Sequence, residues 1–189
     1  PLTPLPLSNA ASPLHQLLRP RPGKLGLGTA YAHGLASASG DFVILMDADL
    51  SHHPKYIPAM VAAQAASGAD LVSGTRYARG GGVAGWGPRR KATSRGANLL
   101  AALLLRPGLS DLTGSFRLFR RGLLDRLVAE TRATGYAFQM EVAVRAAAAG
   151  AVTAEVPIVF VDRVYGASKL GGAEVALFLK GLVRLVCTM

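Results

Sequence analysis

The apolar residues in the first half of the chain are spaced in a way that predicts a helix, a strand, a second helix and a second strand. Five consecutive apolar residues, 42–46, favour a strand that is buried on both faces. The segment before it is rich in small residues and favours a helix that begins at Thr29. Prolines flank the start of a helix near residues 54–64, and a short strand is predicted at 70–73. This order predicts an α/β fold with a parallel sheet.

The second half of the chain continues with helices and strands around a glycine-rich segment. Residues 80–86 are predicted to form a mobile loop, which is a candidate lid. Ser94 is predicted to cap the helix that follows, and Pro107 and Gly108 are predicted to end it. The remaining elements are expected as helices at 94–105, 123–132 and 139–149, and as strands at 115–119 and 153–161.

The length of the chain fits one domain and is too short for two ordinary ones. Residues 1–17 are rich in proline and leucine without a helical or strand period, so we interpret them as a tail or linker that precedes a domain at 18–189. The last segment, residues 174–189, carries three charged residues among apolar ones. We expect it to lie in a membrane interface, because no apolar stretch reaches the ~20 residues that a spanning helix needs.

Charge and composition narrow the classes of partner. The formal net charge of +10 favours anionic partners such as nucleotides, phosphodiesters or an acidic membrane face. Nucleic acid is not expected among them, because aromatic residues make up only 6% of the chain and no nucleic-acid-binding motif occurs. Cys187 is the only cysteine, which excludes an internal disulfide and a cysteine-based zinc site.

Two carboxylates come directly after the first predicted strand. Asp47 and Asp49, separated by Ala48, leave the strand on the same side, at the edge where open α/β sheets bind ligands. Such a pair suits Mg²⁺ or Mn²⁺, which would neutralise a diphosphate leaving group. A solvated acidic turn is the alternative interpretation. We interpret His52 and His53 as loop histidines, because no third histidine is placed to complete a metal cluster.

Several charged residues are candidates for binding phosphate or for acid–base chemistry. Arg76 follows the second predicted strand, and Arg163 and Lys169 follow the last one. Their side chains could hold phosphates through charge-assisted hydrogen bonds, with surface ion pairs as the alternative for each. Glu141 would be a base candidate in a transferase with a hydroxyl acceptor, although a carboxylate in the first turn of a helix is also favoured by the helix dipole.

Six sequence blocks, distributed over residues 18–189, carry a resemblance to a known family. The blocks are LGLGTAY at 25–31, MDADLSHHPK at 46–55, VSGTRY at 72–77, SRGAN at 94–98, DLTGSFRL at 111–118 and FVDRVYG at 160–166. In this order they resemble the catalytic subunit of the dolichyl-phosphate mannosyltransferases. Six ordered blocks are far more specific than a single Asp-x-Asp motif.

This resemblance implies a fold and an activity. The fold is that of the nucleotide-diphospho-sugar transferases (GT-A, Rossmann-like), and the activity is the inverting transfer of mannose from GDP-mannose to dolichyl phosphate with Mg²⁺ or Mn²⁺. The product would serve N-glycosylation, O-mannosylation and GPI-anchor synthesis. The resemblance also implies peripheral attachment at the cytosolic face of the endoplasmic reticulum membrane, with small hydrophobic membrane subunits as candidate partners.

The resemblance also assigns roles to individual positions. Asp47 and Ala48 match positions that contact the nucleotide sugar, and Asp49 matches the position that binds the metal, which makes it the catalytic candidate. The other matched positions are Arg76, Arg163 and Lys169, which would bind the donor phosphates or the acceptor, and Arg95 and Arg117, which would meet the lipid phosphate.

The chain departs from this family at its start. The family begins with a strand that carries a Pro-Thr-Tyr-Asn-Glu-like motif and reaches a second strand that ends in Asp-Asp-Gly-Ser, and residues 1–17 match neither. We therefore expect the N-terminal strands to be missing and the isolated chain to fold loosely and bind donor poorly. A segment of roughly 60 to 80 residues should restore donor binding. A non-catalytic interaction subunit, or a truncated product without nucleotide-sugar binding, is the alternative function.

Overall fold

A computed structural model describes residues 17–23, 25–133, 136–162 and 172–188 of the chain. Predicted helices and strands occur close to their expected places. Within the described residues, the strands are β1 Phe42–Leu45, β2 Leu71–Thr75, β3 Gly82–Ala84, β4 Arg117–Arg120, β5 Thr153–Pro157 and β6 Val159–Val161. The helices are α1 Leu27–Leu35, α2 Ile57–Ser67, α3 Pro88–Leu105, α4 Arg121–Glu130, α5 Tyr136–Ala148 and α6 Gly172–Thr188, with a 3-10 turn at Pro54–Tyr56.

The four-stranded sheet is mixed and not parallel as predicted. Its order is β1-β4-β2-β5, in which β4 runs antiparallel to both of its neighbours and β2 runs parallel to β5. The strands β1 and β2 do point the same way, as the strand-helix-strand order predicts, but β4 lies between them. Strand direction depends on tertiary pairing, such as that of Ser73 with Arg117, which the local apolar pattern does not encode.

The prediction that the first strand is buried on both faces is wrong. All four residues of β1 are half-buried. Within the described sheet β1 is the terminal strand and pairs only with β4, whereas every residue of the internal strand β2 is buried. A run of apolar residues therefore marked the strand correctly but not its position in the sheet.

Part of the glycine-rich segment at 80–86 is a strand, which corrects the predicted loop, whereas the predicted mobility and lid stay predictions. Its residues form β3, which pairs in parallel with β6, and Trp86 is only 9% exposed. The indole ring of Trp86 lies edge-on to Phe160. The single strand expected at 153–161 is divided at Ile158, whose N–H donates to the Thr75 carbonyl, so that β5 belongs to one sheet and β6 to the other.

Two helix ends show where local rules hold and where they fail. As predicted, α2 stops at Gly68, whose φ of 67° places it in the left-handed region that glycine favours. The helix α3, in contrast, begins at Pro88 and not at Ser94. Proline is well suited to the first helical position. Ser94 instead lies inside the helix, where its hydroxyl is 2.6 Å from the Tyr77 hydroxyl.

Apolar side chains cover both faces of the sheet and hold the edge that carries the two aspartates. One cluster joins the sheet to α4, α5 and α6, and a second joins it to α2. The members include Phe119, Leu127, Phe138, Met140 and Leu182 in the first cluster and Met60, Val72, Phe116, Val156 and Ile158 in the second. Burial of this kind contributes about 25 cal/mol for each Å² of apolar surface.

Several large apolar side chains remain exposed on α3 and α6. No helix in the described part of the chain is long and apolar enough to span a membrane. Nevertheless, Leu99 and Leu103 on α3 are 61% and 63% exposed, and Val183 on α6 is 61% exposed. Cys187, near the end of α6, is also exposed.

Gly74 in β2 gives a test of close packing at the sheet. A Cβ atom at this position would lie 2.9 Å from the Phe116 carbonyl oxygen and 3.1 Å from the Ile158 side chain. We expect Gly74→Ala to lower the free energy of unfolding by about 1–3 kcal/mol, because the backbone of both strands must shift. The matched change Gly122→Ala, in α4, meets no atom within 4 Å and should be neutral or stabilising. Urea denaturation measures both, and equal effects would contradict the argument.

Candidate functional site

The two predicted carboxylates lie in a tight turn at the carboxyl end of β1. The Ser115 hydroxyl donates to Oδ2 of Asp47 at 2.8 Å, which fixes this carboxylate against the residues just before β4. The Ser51 backbone N–H donates to Oδ1 of Asp49 at 3.1 Å, and the Ser51 hydroxyl donates to the same oxygen. Ala48, between the two aspartates, is exposed. The turn therefore has an accessible backbone and carboxylates that are held in place.

His52 closes this turn and is more buried than a loop histidine would be. It is 5% exposed, and its Nδ1 accepts the backbone N–H of Asp47 at 3.2 Å. Burial lowers the pKa of His52, and the charges of Asp47 and Asp49 oppose this shift only in part. The neighbouring His53 is exposed, and its Nδ1 accepts the Lys55 N–H at the start of the 3-10 turn.

The donor set of this turn fits a small divalent cation bound together with substrate. Within the described residues, no three His, Cys, Asp or Glu side chains form a group that could hold a metal by themselves. Mg²⁺ and Mn²⁺ favour oxygen ligands, and Mg²⁺ is usually held by one or two carboxylates together with waters and substrate phosphates. Asp49 is the residue that would supply the carboxylate, and Asp47 lies beside it in the same turn.

Arg76 is buried in an ion pair. Its guanidinium forms two hydrogen bonds with the carboxylate of Asp111, at 2.6 and 2.8 Å, and a third with the Thr113 hydroxyl at 2.7 Å. The aromatic rings of Trp86 and Phe160 lie 5.6 Å from the guanidinium carbon. With an exposure of 8%, Arg76 holds the end of β2 to the loop before β4. Its predicted contact with a phosphate stays a prediction.

Asp111 belongs to this site but was not predicted from the sequence. Burial alone would raise the pKa of its carboxyl, but the charge and hydrogen bonds of Arg76 outweigh burial and hold the pKa below its ordinary value. The backbone N–H of Gly114 also donates to Asp111 at 3.0 Å. The only sign in the sequence was its place at the head of the DLTGSFRL block, one of the six that carry the family resemblance.

Arg117, the first residue of β4, is fully buried. Its guanidinium donates to the backbone carbonyls of Gln139, Asp111 and Leu112 at 2.8, 3.2 and 3.3 Å. Burial lowers the pKa of Arg117 to about 10, with the charge of Asp111 opposing the shift, so the side chain remains a cation at neutral pH. In this conformation it supports the loop before β4 from inside, and its predicted contact with a lipid phosphate stays a prediction.

Tyr31 joins this buried layer from α1. The Gln139 side-chain amide donates to the Tyr31 hydroxyl at 2.9 Å. Burial, and then the negative charge of Asp47, raise the pKa of Tyr31 to about 12. The phenol is therefore neutral over the working range of a protein, and the positive charge of this buried layer comes from Arg117.

Of the remaining predicted residues, the structure describes Arg95 and Glu141. Arg95 is exposed on α3, close enough to lower the pKa of Tyr77 slightly against the dominant effect of burial, which raises it. Arg163 and Lys169 lie outside the described residues. Glu141 is buried and accepts hydrogen bonds from the Ala133 N–H and from Arg145, so its contacts are structural. The predicted place in the first turn of a helix is wrong, because α5 begins at Tyr136 and has no acidic residue in its first turn.

A second ion pair, between Arg90 and Asp162, was also not predicted from the sequence. The Arg90 guanidinium lies 4.0 Å from the centre of the Trp86 ring and donates to both carboxylate oxygens of Asp162, at 2.9 and 3.0 Å. This contact joins the first turn of α3 to the end of β6. Arg90 and Asp162 are 72 residues apart in the chain, so no local sequence pattern could predict their contact.

Solved structures define the class of this fold. Glucosyl-3-phosphoglycerate synthase from Mycobacterium tuberculosis, in complex with Mn²⁺ and UDP-glucose, superposes with a TM-score of 0.59 at 23% identity, over 90% of this chain and 56% of that one. The same enzyme with Mg²⁺ and UDP gives a TM-score of 0.61 at 23% identity, over 91% and 57%. The predicted GT-A fold of the nucleotide-sugar transferases is confirmed.

Sequence relatives identify the family. Residues 9–128 match glycosyl transferase family 2, and the chain belongs to this family. Polyprenol monophosphomannose synthase from Mycolicibacterium smegmatis is 37% identical over 82% of this chain and 60% of the relative. Undecaprenyl-phosphate mannosyltransferase from Micrococcus luteus is 36% identical over 87% of this chain and 68% of the relative. The predicted resemblance to lipid-phosphate mannosyltransferases is confirmed at the level of the family.

The chain spans only about 60% of the length of the first of these relatives. The predicted boundary between a tail at 1–17 and a domain at 18–189 stays a prediction, as does the absence of N-terminal strands. The activity, substrates and partners of the whole protein are therefore proposals.

Proposed function

We propose that this domain transfers mannose from GDP-mannose to a polyprenyl phosphate, of which dolichyl phosphate is one. The observation that carries the proposal is the turn at the end of β1, in which Asp47 and Asp49 are held by serine hydroxyls. The names of both sequence relatives, a polyprenol monophosphomannose synthase and an undecaprenyl-phosphate mannosyltransferase, support mannose and a polyprenyl phosphate. The choice of GDP as the nucleotide follows from the resemblance of the six sequence blocks.

The chemistry of such a transfer matches what the residues can do. An oxygen of the acceptor phosphate attacks C1 of mannose, the bond from C1 to the diphosphate breaks, and GDP leaves with the electron pair. The acceptor phosphate is already an anion at neutral pH, so the site needs no general base. A divalent cation at Asp49 would neutralise charge on the leaving diphosphate. No general base is therefore required of Glu141, whose carboxylate accepts a hydrogen bond from Arg145 inside the protein.

The residues of the site serve mainly to position charge. Asp47 is fixed by Ser115, and Asp49 is fixed by Ser51, so neither carboxylate must be ordered when the donor binds. The buried Arg117 supplies a positive charge close to Tyr31, whose pKa responds to the charges of both Asp47 and Arg117. Preorganised charges of this kind act more strongly in a site from which water is excluded than in bulk water.

We place the domain at a membrane surface, because its proposed acceptor is a lipid. The helix α3 carries four basic residues and no acidic one in its first half, and its second half exposes Leu99 and Leu103. On α6, exposed Leu177 and Val183 alternate with exposed Lys180 and Arg184. Apolar residues among cations are typical of helices that lie in the interface of an anionic bilayer. Placement in the endoplasmic reticulum, and hydrophobic partner subunits, remain proposals from the resemblance.

A transfer assay tests the proposed function. The whole protein is incubated with Mn²⁺, radiolabelled GDP-mannose and a polyprenyl phosphate in detergent, and label is followed into the lipid phase. We expect lipid-linked mannose with this pair and none when UDP-glucose replaces the donor or 3-phosphoglycerate replaces the acceptor. Transfer only to 3-phosphoglycerate, or no binding of GDP-mannose at all, would favour a different transferase or the non-catalytic alternative.

Arg95 gives a prediction about the acceptor. Because it is exposed on α3, among the basic residues that face the proposed membrane surface, its loss should affect the lipid phosphate more than the nucleotide. We expect Arg95→Ala to raise the KM for polyprenyl phosphate about tenfold, the cost of one charge-assisted hydrogen bond, and to leave the KM for GDP-mannose unchanged. Lys91 is an exposed cation on the same helix, so Lys91→Ala is the control for non-specific electrostatic attraction of the lipid phosphate. Equal changes in both KM values would contradict the role.

A further inference from the structure

We propose that His52 is a positioning residue that sets the shape of the Asp47–Asp49 turn, so that the turn can bind a divalent cation. The inference rests on the proposed function, because it assigns a metal–nucleotide complex to this turn. It concerns the imidazole as a hydrogen-bond acceptor and a packed ring. It does not make His52 a metal ligand or an acid–base group.

The turn has a backbone that needs support. Leu50, which follows Asp49 in the turn, has a φ of 64°, in the left-handed region that leucine disfavours. Its side chain is 70% exposed, so packing of that side chain does not hold this conformation. Non-glycine residues persist in such conformations only where the surrounding structure fixes them, and they are concentrated at functional sites.

Two backbone contacts fix the turn from its C-terminal side. The Nδ1 atom of His52 accepts the N–H of Asp47, five residues earlier in the chain, and this bond closes the turn. The carbonyl of Ser51 accepts the N–H of Val161 at 3.1 Å, which ties the same turn to β6. Ser51 is itself fully buried and donates to Asp49. The positions of both carboxylates therefore depend on where residues 51 and 52 are held.

The ring of His52 is held in turn by two aromatic side chains. It stacks on Phe116, with ring centres 5.1 Å apart, and meets Phe160 edge-on at 5.4 Å. These contacts orient Nδ1 toward the Asp47 N–H. A histidine that accepts at Nδ1 carries its proton on Nε2, and the lowered pKa that burial produces keeps it in this neutral form.

Two substitutions separate the acceptor from the ring. His52→Phe keeps an aromatic ring between Phe116 and Phe160 but removes the acceptor. His52→Asn keeps an acceptor oxygen at the position of Nδ1 but removes the ring. His53→Ala is the matched control, because His53 makes the same kind of bond to Lys55 outside the turn and is exposed.

The quantity measured is the affinity for Mn²⁺ in the presence of GDP. Binding is detected as a decrease in the electron paramagnetic resonance signal of free Mn²⁺. We expect His52→Phe to weaken Mn²⁺ binding by about 10–100-fold, as loss of residues that orient metal ligands commonly does, while its Tm stays near that of the unaltered protein. His52→Asn should show the opposite pattern, with Mn²⁺ affinity within about threefold of the original and a lower Tm. His53→Ala should change neither.

A metal-free measurement tests the contact by itself. In nuclear magnetic resonance spectra without Mn²⁺ or GDP, the neutral imidazole of His52 should carry its proton on Nε2, and the amide proton of Asp47 should shift in His52→Phe more than in His52→Asn. A proton on Nδ1 would overturn the inference. Equal Mn²⁺ affinity in His52→Phe and the original protein would also overturn it. So would Mn²⁺ affinities that fall in proportion to Tm across the variants, because His52 would then have only a structural role.

The two proposals can fail separately. If the Mn²⁺ affinities follow the expected pattern and no mannose reaches a polyprenyl phosphate, the proposed function is wrong and the role of His52 stands. If mannose is transferred and His52→Phe binds Mn²⁺ as the original does, the proposed function stands and the role of His52 is wrong.

Discussion

Asp49→Ala should abolish transfer almost completely, with a loss of about three orders of magnitude or more in kcat/KM. The carboxylate of Asp49 is held by Ser51 at the end of β1, where it would supply the protein's ligand to the cation that neutralises the leaving diphosphate. The measurement is mannose transfer to a polyprenyl phosphate over a range of Mn²⁺ concentrations. We expect the activity not to return at high Mn²⁺, because the ligand itself is missing.

The matched control for this prediction is Asp41→Ala. Asp41 immediately precedes β1, is exposed and lies at the other end of the strand, so its loss changes the net charge equally but leaves the turn intact. Transfer by Asp41→Ala should be unchanged. Turnover of the unaltered protein that survives EDTA at a near-normal rate would show that the site works without a metal and would refute the prediction.

Asp111→Ala should lower the free energy of unfolding by about 3–5 kcal/mol, because it removes the carboxylate that pairs with the buried guanidinium of Arg76. Asp111 is fully buried and Arg76 is 8% exposed, so water cannot replace the lost partner. The ion pair between Arg121 and Asp125 is the control. It spans 3.8 Å at the surface, with Asp125 53% exposed, so Asp125→Ala should cost under about 0.5 kcal/mol. Urea denaturation of the three proteins makes the comparison.

The same pair predicts a pH dependence. The folded protein holds the pKa of Asp111 below its unfolded value, so the unfolded state binds the proton more readily. The contribution of Asp111 to stability is therefore complete above the unfolded pKa of about 4, and it is lost as the pH falls through the lower folded pKa. Stability of the unaltered protein should fall more steeply below about pH 4 than that of Asp111→Ala. Parallel curves would contradict this.

Local patterns in the sequence located most of the elements, because the causes of those elements are local. The apolar run at 42–46 marked β1, and Gly68 ended α2 with the backbone angle that glycine favours. The position of Asp47 and Asp49 after a strand was enough to predict an acidic turn at the sheet edge. What local patterns left out was strand direction, as the antiparallel β4 shows.

The site was predicted less well than the fold, because its residues meet across long separations in the chain. Arg76 and Asp111 are 35 residues apart, and Arg117 contacts Gln139 22 residues away. Arginine was therefore interpreted as a surface cation for phosphate, whereas two of the predicted arginines are buried and pair inside the protein. The strand β3 in the glycine-rich segment was not predicted for a similar reason, since its pairing partner β6 lies about 75 residues further along the chain.

The exposed thiol at the end of α6 makes the membrane proposal directly measurable. Cys187 is the only cysteine in the 189-residue sequence, so a nitroxide or fluorescent label attaches at one known place without any substitution. It lies one residue from Val186 and four from Val183, both of which are exposed. Quenchers confined to water or to the acyl chains would then report the depth of α6 in a bilayer, on a protein whose sequence has not been altered.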